Sequence, residues 1–150
     1  MMNILVLNGP NLNMLGTREV DVYGSQTLDE RMNEVRAYAA ERGATVEVFT
    51  SNSESALIDH LHHAPAKYQG VVFNPAAYTH YSYALRDAVA CIDIPVVEVH
   101  LSDIASREDF RALSVIAPEC VAQHAGEGTG SYLKGIDTLL ALQPSNERRV

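Results

Sequence analysis

Five short apolar runs alternate with five segments that carry helical signals along this 150-residue chain. That alternation constrains the fold more than any other feature. Each strand must be followed by a crossover that brings the next strand back in the same direction. The outcome is a parallel sheet with helices on its faces. The strand-like runs are residues 3–8, 45–49, 70–74, 95–99 and 120–124. The helical segments run from Thr27 to Arg42, Ser53 to Ala64, Ser82 to Ile92, Arg107 to Leu113 and Ser131 to Leu142. Several ends are marked chemically. Thr27 and Glu30 fit a capping box, in which each side chain accepts from the other residue's backbone N–H. Gly43 stands at the position after a helix where a left-handed residue closes it. Ser53 supplies another cap, and Pro65 stops the helix that Ser53 starts. Met32, Val35, Tyr38 and Ala39 form the apolar stripe of the first helix.

Right-handed crossovers leave few orders for five parallel strands. The expected fold is a flavodoxin-like three-layer α/β sandwich with strand order 2-1-3-4-5. It occupies a single domain, residues 1–150, with a disordered tail at about 144–150. With 47% apolar and 20% charged residues, the composition is that of a globular chain. A net charge of -8, from 19 acidic and 11 basic residues, argues against nucleic acid as a partner. It does not forbid an anionic small molecule, since a few arginines in a cleft can hold a carboxylate. The two cysteines, Cys91 and Cys120, have no metal-like spacing and read as small apolar residues of a reducing compartment. The chain opens directly into a strand-like run without a basic, cleavable leader. No apolar run approaches membrane length. A cytoplasmic location, away from any membrane, is therefore expected.

Sheets of this kind bind ligands outside the carboxyl ends of their strands, at the switch point of strand order. Polar residues gather there. The first strand is followed by Asn8-Gly9-Pro10-Asn11-Leu12-Asn13, the third ends at Asn74, and the fourth ends in Glu98-Val99-His100. Glu98 and His100 are two apart on a strand and so face the same side. A carboxylate beside an imidazole fixes its tautomer and favours the imidazolium, which can serve as a general acid. A structural ion pair at the sheet end is the competing reading. The long first loop carries Arg18 and Tyr23 between Gly16 and Gly24. Loops of this length in compact domains are usually functional. Two unit charges about 4 Å apart at an effective ε of about 20 interact by roughly 4 kcal/mol. That equals about three pKa units, which brings a phenolate within reach near neutral pH. An exposed arginine beside a packed tyrosine is the alternative.

Other patterns fail on detail. Gly126-Glu127-Gly128-Thr129-Gly130 sits where a dinucleotide loop would, but Ser131 replaces the last glycine of GxGxxG and Glu127 would oppose a pyrophosphate. A tight turn fits better. His60, His62 and His63 share a helix without HExxH or a cysteine companion, so a solvated face is expected and no metal. The only lysines, Lys67 and Lys134, lie away from the strand ends, which leaves a Schiff base without a candidate. Ser102 and Asp103 near His100 have no GxSxG elbow behind them.

Taken together, Leu5-Val6-Leu7-Asn8-Gly9-Pro10-Asn11-Leu12-Asn13, Gly16-Thr17-Arg18-Glu19, Tyr23-Gly24, Tyr78-Thr79-His80, Ala84-Leu85-Arg86-Asp87-Ala88 and Glu98-Val99-His100-Leu101-Ser102 resemble the type II 3-dehydroquinate dehydratases over roughly residues 3–143. The resemblance implies a lyase that dehydrates 3-dehydroquinate to 3-dehydroshikimate, a step shared by aromatic biosynthesis and quinate breakdown. It implies Tyr23 as the base at C2, Arg18 as the group that lowers its pKa, and Asn11 as holder of a water that stabilises the enolate. His100, oriented by Glu98, would protonate the leaving hydroxyl. Asn74 and the backbone at Leu101 and Ser102 would bind the carboxylate, and His80, Asp87 and Arg111 the ring hydroxyls. Asp87 tends to come from a neighbouring subunit, in trimers usually assembled into dodecamers. Neither metal nor organic cofactor is implied. The chain departs from the family where Val20 replaces Pro, Ala76 replaces Gly and Tyr81 replaces Thr. It departs again in Asp103-Ile104-Ala105-Ser106 and in Leu113-Ser114-Val115. Every catalytic position is spared. Two other readings use the same residues: a homologue that only senses dehydroquinate or quinate, and an FMN-binding flavodoxin-like module. A sensor has no physical need for an activated phenolate, and fold alone carries no function.

Overall fold

The computed structural model describes residues 1–17, 21 and 24–143. Five strands, β1 (Met2–Asn8), β2 (Ala44–Thr50), β3 (Gly70–Asn74), β4 (Val96–His100) and β5 (Ala122–Ala125), form one sheet in the order β2-β1-β3-β4-β5. All pairings are parallel. Four α-helices occur among the described residues: α1 (Leu28–Glu41), α2 (Glu54–His63), α3 (Tyr83–Ala90) and α4 (Thr129–Leu142). The three-layer α/β expectation and the strand order both hold.

Strand alternation divides the core. Ile4, Val6, Val72, Val97 and Val99 face α1 and α4, whose Met32, Val35, Ala39, Tyr132, Ile136 and Leu139 pack against them. Leu5, Leu7, Val71, Phe73 and Val96 face the opposite way, onto Leu57 and Leu61 of α2 and Leu85, Ala88 and Val89 of α3. The second layer on each face buries what a lone sheet would leave in water, at roughly 25 cal/mol per Å² of apolar surface. Local signals set the helix ends. The Thr27–Glu30 capping box is formed on both sides, and Gly43 takes φ +77 beyond the last turn of α1. Ser53 and Ser82 cap α2 and α3 by accepting from Ala56 and Leu85 N–H.

Two expectations need correction. Arg107–Leu113 is not an α-helix. The β4–β5 connection consists of 3-10 turns at Ile104–Ser106, Asp109–Arg111 and Ala117–Glu119. Phe110 and Leu113 stay exposed, so no apolar stripe holds a longer helix against the sheet. The last strand begins at Ala122 rather than Cys120, because Cys120 ends a 3-10 turn and its thiol donates to the Ile116 carbonyl. The Gly126–Gly130 segment is the expected tight turn. Gly126 and Gly128 both have positive φ, and α4 starts at Thr129, two residues before the expected Ser131. The expected tail at 144–150 lies outside the described residues.

Candidate active site

β1 and β3 lie side by side where the strand order reverses, and their last residues, Asn8 and Asn74, are in register. The chain is pinned there. Gly9 N–H donates to the Asn74 carbonyl at 2.8 Å, and a Cβ on Gly9 would stand 2.6 Å from the Pro75 carbonyl oxygen. Only glycine permits that approach. Beyond it, Asn11 takes the left-handed conformation at φ 68, one that asparagine tolerates better than most residues, and its N–H donates to the Asn52 side chain.

Asn74, His80, His100, Leu101, Ser102 and Arg111 line one small hollow at these strand ends. Asn11 lines an adjoining one, and the two share Leu12, Ala76, Ala77 and Arg111 as a common wall. A wider hollow of about 500 Å³ opens beyond Leu101 and Ser102, bordered by Gly24, Gly126 and Gly128. The fold therefore brings seven of the candidate residues to adjoining walls. Asp87 is not among them. It is exposed on α3 and lines neither of the two smaller hollows. Arg18 and Tyr23 lie outside the described residues, as does Val20.

Glu98 and His100 face the same side, as strand alternation requires, and Glu98 Oε2 lies 2.5 Å from His100 Nε2. Glu98 is wholly buried, and three further donors converge on it. Thr79 Oγ1 donates at 2.6 Å, Ser114 Oγ at 2.8 Å and Gln123 Nε2 at 3.2 Å. Burial alone pushes such a carboxyl up, but the hydrogen bond and charge of His100, with the hydroxyls of Thr79 and Ser114, outweigh it. The carboxyl is held below its usual range. A carboxylate so fixed anchors the imidazole by Nε2 and leaves Nδ1 for chemistry in the pocket.

The side chain of Asn74 comes from the opposite face of the sheet. Its Oδ1 accepts from Ala76 N–H at 3.0 Å and its Nδ2 donates to the Tyr132 hydroxyl at 2.8 Å. Arg111 is held by Glu108, with Nε 2.5 Å from its carboxylate, and stacks on Phe110. His80 Nδ1 lies 2.8 Å from the Leu113 carbonyl. The Leu101 carbonyl accepts from Gly128 N–H at 3.0 Å, tying the end of β4 to the start of α4.

Thr79, Ser114, Gln123 and Tyr132 were assigned no role from sequence. Thr79 sits inside the Tyr78-Thr79-His80 run, and Ser114 persists where both its neighbours depart from the family, which are the signals the sequence carries. Tyr132 reads as one more apolar position of a helix. Of the helical histidines, His62 and His63 are exposed as expected, whereas His60 stacks on Phe49 with ring centroids 3.5 Å apart. Among the described residues, no group of His, Cys, Asp and Glu is arranged to hold a metal ion.

Known proteins match the chain in both sequence and fold. The family model described as dehydroquinase class II matches residues 2–140. A 3-dehydroquinate dehydratase of Desulforudis audaxviator is 53% identical over 141 residues, covering 94% of each chain. The crystal structure of type II dehydroquinase from Butyrivibrio crossotus superposes with a TM-score of 0.91 at 45% identity, covering 93% of this chain and 97% of that one. That of type II dehydroquinase from Propionibacterium acnes gives 0.90 at 40% identity, covering 94% and 97%. Matched in sequence and fold over almost its whole length, the chain belongs to the class II dehydroquinase family.

Proposed function

We propose that this protein is a hydro-lyase that converts 3-dehydroquinate to 3-dehydroshikimate and water, in the shikimate or quinate pathway. The observation that carries the reading is the buried Glu98–His100 pair, set beside Asn74 on a polar pocket wall in a chain with this family membership. Tyr23, with its pKa lowered by Arg18, takes the proton from C2 of the substrate. The electron pair passes into the C3 ketone as an enolate, held by a water that Asn11 positions. The enolate collapses to a C1–C2 double bond as the C1–O bond breaks. His100 supplies the proton that lets hydroxide leave as water, in an anti elimination. Glu98 stabilises the imidazolium that gives up this proton.

Asn74 and the backbone at Leu101 and Ser102 bind the carboxylate, while His80, Arg111 and Asp87 hold the ring hydroxyls. Asp87 is offered by a neighbouring subunit of a trimer, four trimers making a dodecamer. Its exposed place on α3 supports that reading, as do the exposed Tyr81, Tyr83, Phe110 and Leu113. The reaction needs neither metal nor organic cofactor, because the enolate formed from the ketone is stabilised by fixed dipoles and charges. No helix among the described residues is long and apolar enough to cross a membrane. The enzyme works in the cytoplasm. Nothing among the described residues of the site favours a protein that only binds the ligand.

The test is an absorbance assay for the conjugated enone product. The wild-type protein should generate it from 3-dehydroquinate, and Tyr23→Phe should abolish turnover while still binding ligand. Normal dehydration by that variant would remove Tyr23 from its role. No signal at high concentration of the wild-type protein would leave only the sensor reading.

A further inference from the structure

Behind Asn74, a chain of hydrogen bonds runs through the core. Asn74 Nδ2 donates to the hydroxyl of Tyr132, which in turn donates to Asn8 Oδ1 at 2.7 Å. Asn8 Nδ2 faces Thr50 Oγ1 and Met32 Sδ, each at 3.5 Å. Asn8 and Tyr132 are wholly buried, and Asn74 is 2% exposed. Burial pushes the Tyr132 phenol far above its ordinary range, so the hydroxyl keeps its proton at any physiological pH.

The direction of this chain has a consequence at the pocket. A phenol has one proton to donate, and that of Tyr132 is committed to Asn8 Oδ1. Toward Asn74 it therefore offers only a lone pair. A flipped Asn74 amide would set Oδ1 against that lone pair and Nδ2 against the N–H of Ala76. Both contacts would be repulsive in a region of low dielectric, where unmatched polar groups are most costly. One amide orientation survives. Its second Nδ2 hydrogen has no protein partner among the described residues, and Asn74 lines the pocket.

We propose that Tyr132 is a positioning residue, which fixes the Asn74 amide so that an N–H, never the carbonyl, is presented to a bound carboxylate. The inference rests on the dehydratase reading and deepens it. Specificity for an anionic group then depends on a tyrosine in α4 that touches no substrate, with Asn8 setting the polarity of the tyrosine's hydroxyl.

The test is steady-state kinetics of the full-length Tyr132→Phe protein, which removes one oxygen and keeps the ring. KM for 3-dehydroquinate should rise about tenfold while kcat changes by less than about threefold. In a cycle with Asn74→Ala, the two effects on KM should be strongly non-additive. A merely structural tyrosine would lower the melting temperature and leave KM alone, and that result would overturn the inference, as would additive effects. Should Tyr132→Phe fail to fold, Asn8→Ala serves in its place. It frees the Tyr132 proton to turn toward Asn74, so KM should rise by about threefold or more, and an unchanged KM would again refute the proposal. An active wild type with unaltered variants defeats this inference alone. A wild type that turns over no 3-dehydroquinate defeats the functional reading as well.

Discussion

Glu98 is a buried carboxylate kept ionised by what surrounds it: an imidazole, two hydroxyls and an amide N–H. Glu98→Gln keeps the shape but removes the charge that stabilises an imidazolium at His100. It should lower kcat by about a hundredfold with KM little changed, and an unaltered kcat would make the pair purely structural. The same charge has a signature in stability. Because the folded carboxyl titrates below its ordinary value of 4.5, the folded state binds fewer protons there than the unfolded chain. Its contribution is complete above that value and is lost as the pH falls through the lower folded one. The urea midpoint should therefore drop less in Glu98→Gln than in the wild type between about pH 5 and pH 3, and parallel curves would count against it. Ala76 is a second residue with a definite expectation. It holds φ 52, where a Cβ is strained, at a position where the resemblance calls for glycine. Ala76→Gly should stabilise the protein by about 1 kcal/mol net of the added freedom of the unfolded chain, read as a higher melting temperature. At this scale the Glu98–His100 pair was legible because strand alternation forces i and i+2 together. Thr79, Ser114 and Gln123 were not, because a turn, a loop and an edge strand meet at Glu98 only in three dimensions.

Elements were legible wherever their ends carry local chemistry. The boundaries of α1 follow from Thr27, Glu30 and Gly43, each a backbone interaction within a few residues. The β4–β5 connection has no such logic. Polar residues there recommend a helix by propensity, but nothing apolar docks it, and short helices without docking do not persist in water. The junction of β1 with β3 is the element-scale feature on which the site depends most. Gly9 lets the two chain ends touch, and Asn74 enters the pocket from that contact. In Gly9→Ala the methyl group would meet Pro75 backbone, which cannot swing aside as a side chain could. The variant should lose about 1–3 kcal/mol of stability, seen in denaturant titration. Its KM should rise as well, because the end of β3 carrying Asn74 has to move. A fully stable Gly9→Ala with normal kinetics would show that the close approach is not needed.

For the molecule as a whole, parallel topology was legible because right-handed crossovers admit few orders, and the observed β2-β1-β3-β4-β5 is the one expected. Periodicity carries no mark of an assembly surface. Tyr81, Tyr83, Phe110 and Leu113 lie on connections and a first helical turn, where an apolar side chain breaks no pattern, yet all four are exposed. Asp87 is exposed on α3 and lines none of the hollows of its own site. If a neighbouring subunit supplies Asp87, two inactive variants must rescue each other. Asp87→Ala retains His100 but offers nothing to its neighbour, whereas His100→Ala offers Asp87 but has no acid of its own. Mixed and reassembled in equal amounts, a site is whole when an Asp87→Ala chain receives its aspartate from a His100→Ala chain. Random assembly into closed rings makes that about a quarter of all sites. Activity should therefore return to about a quarter of the wild-type level, and sedimentation should show multiples of three chains. A mixture no more active than its components would place Asp87 outside the chemistry of its neighbour's pocket. The exposed aromatic residues would then need some other reason to face water.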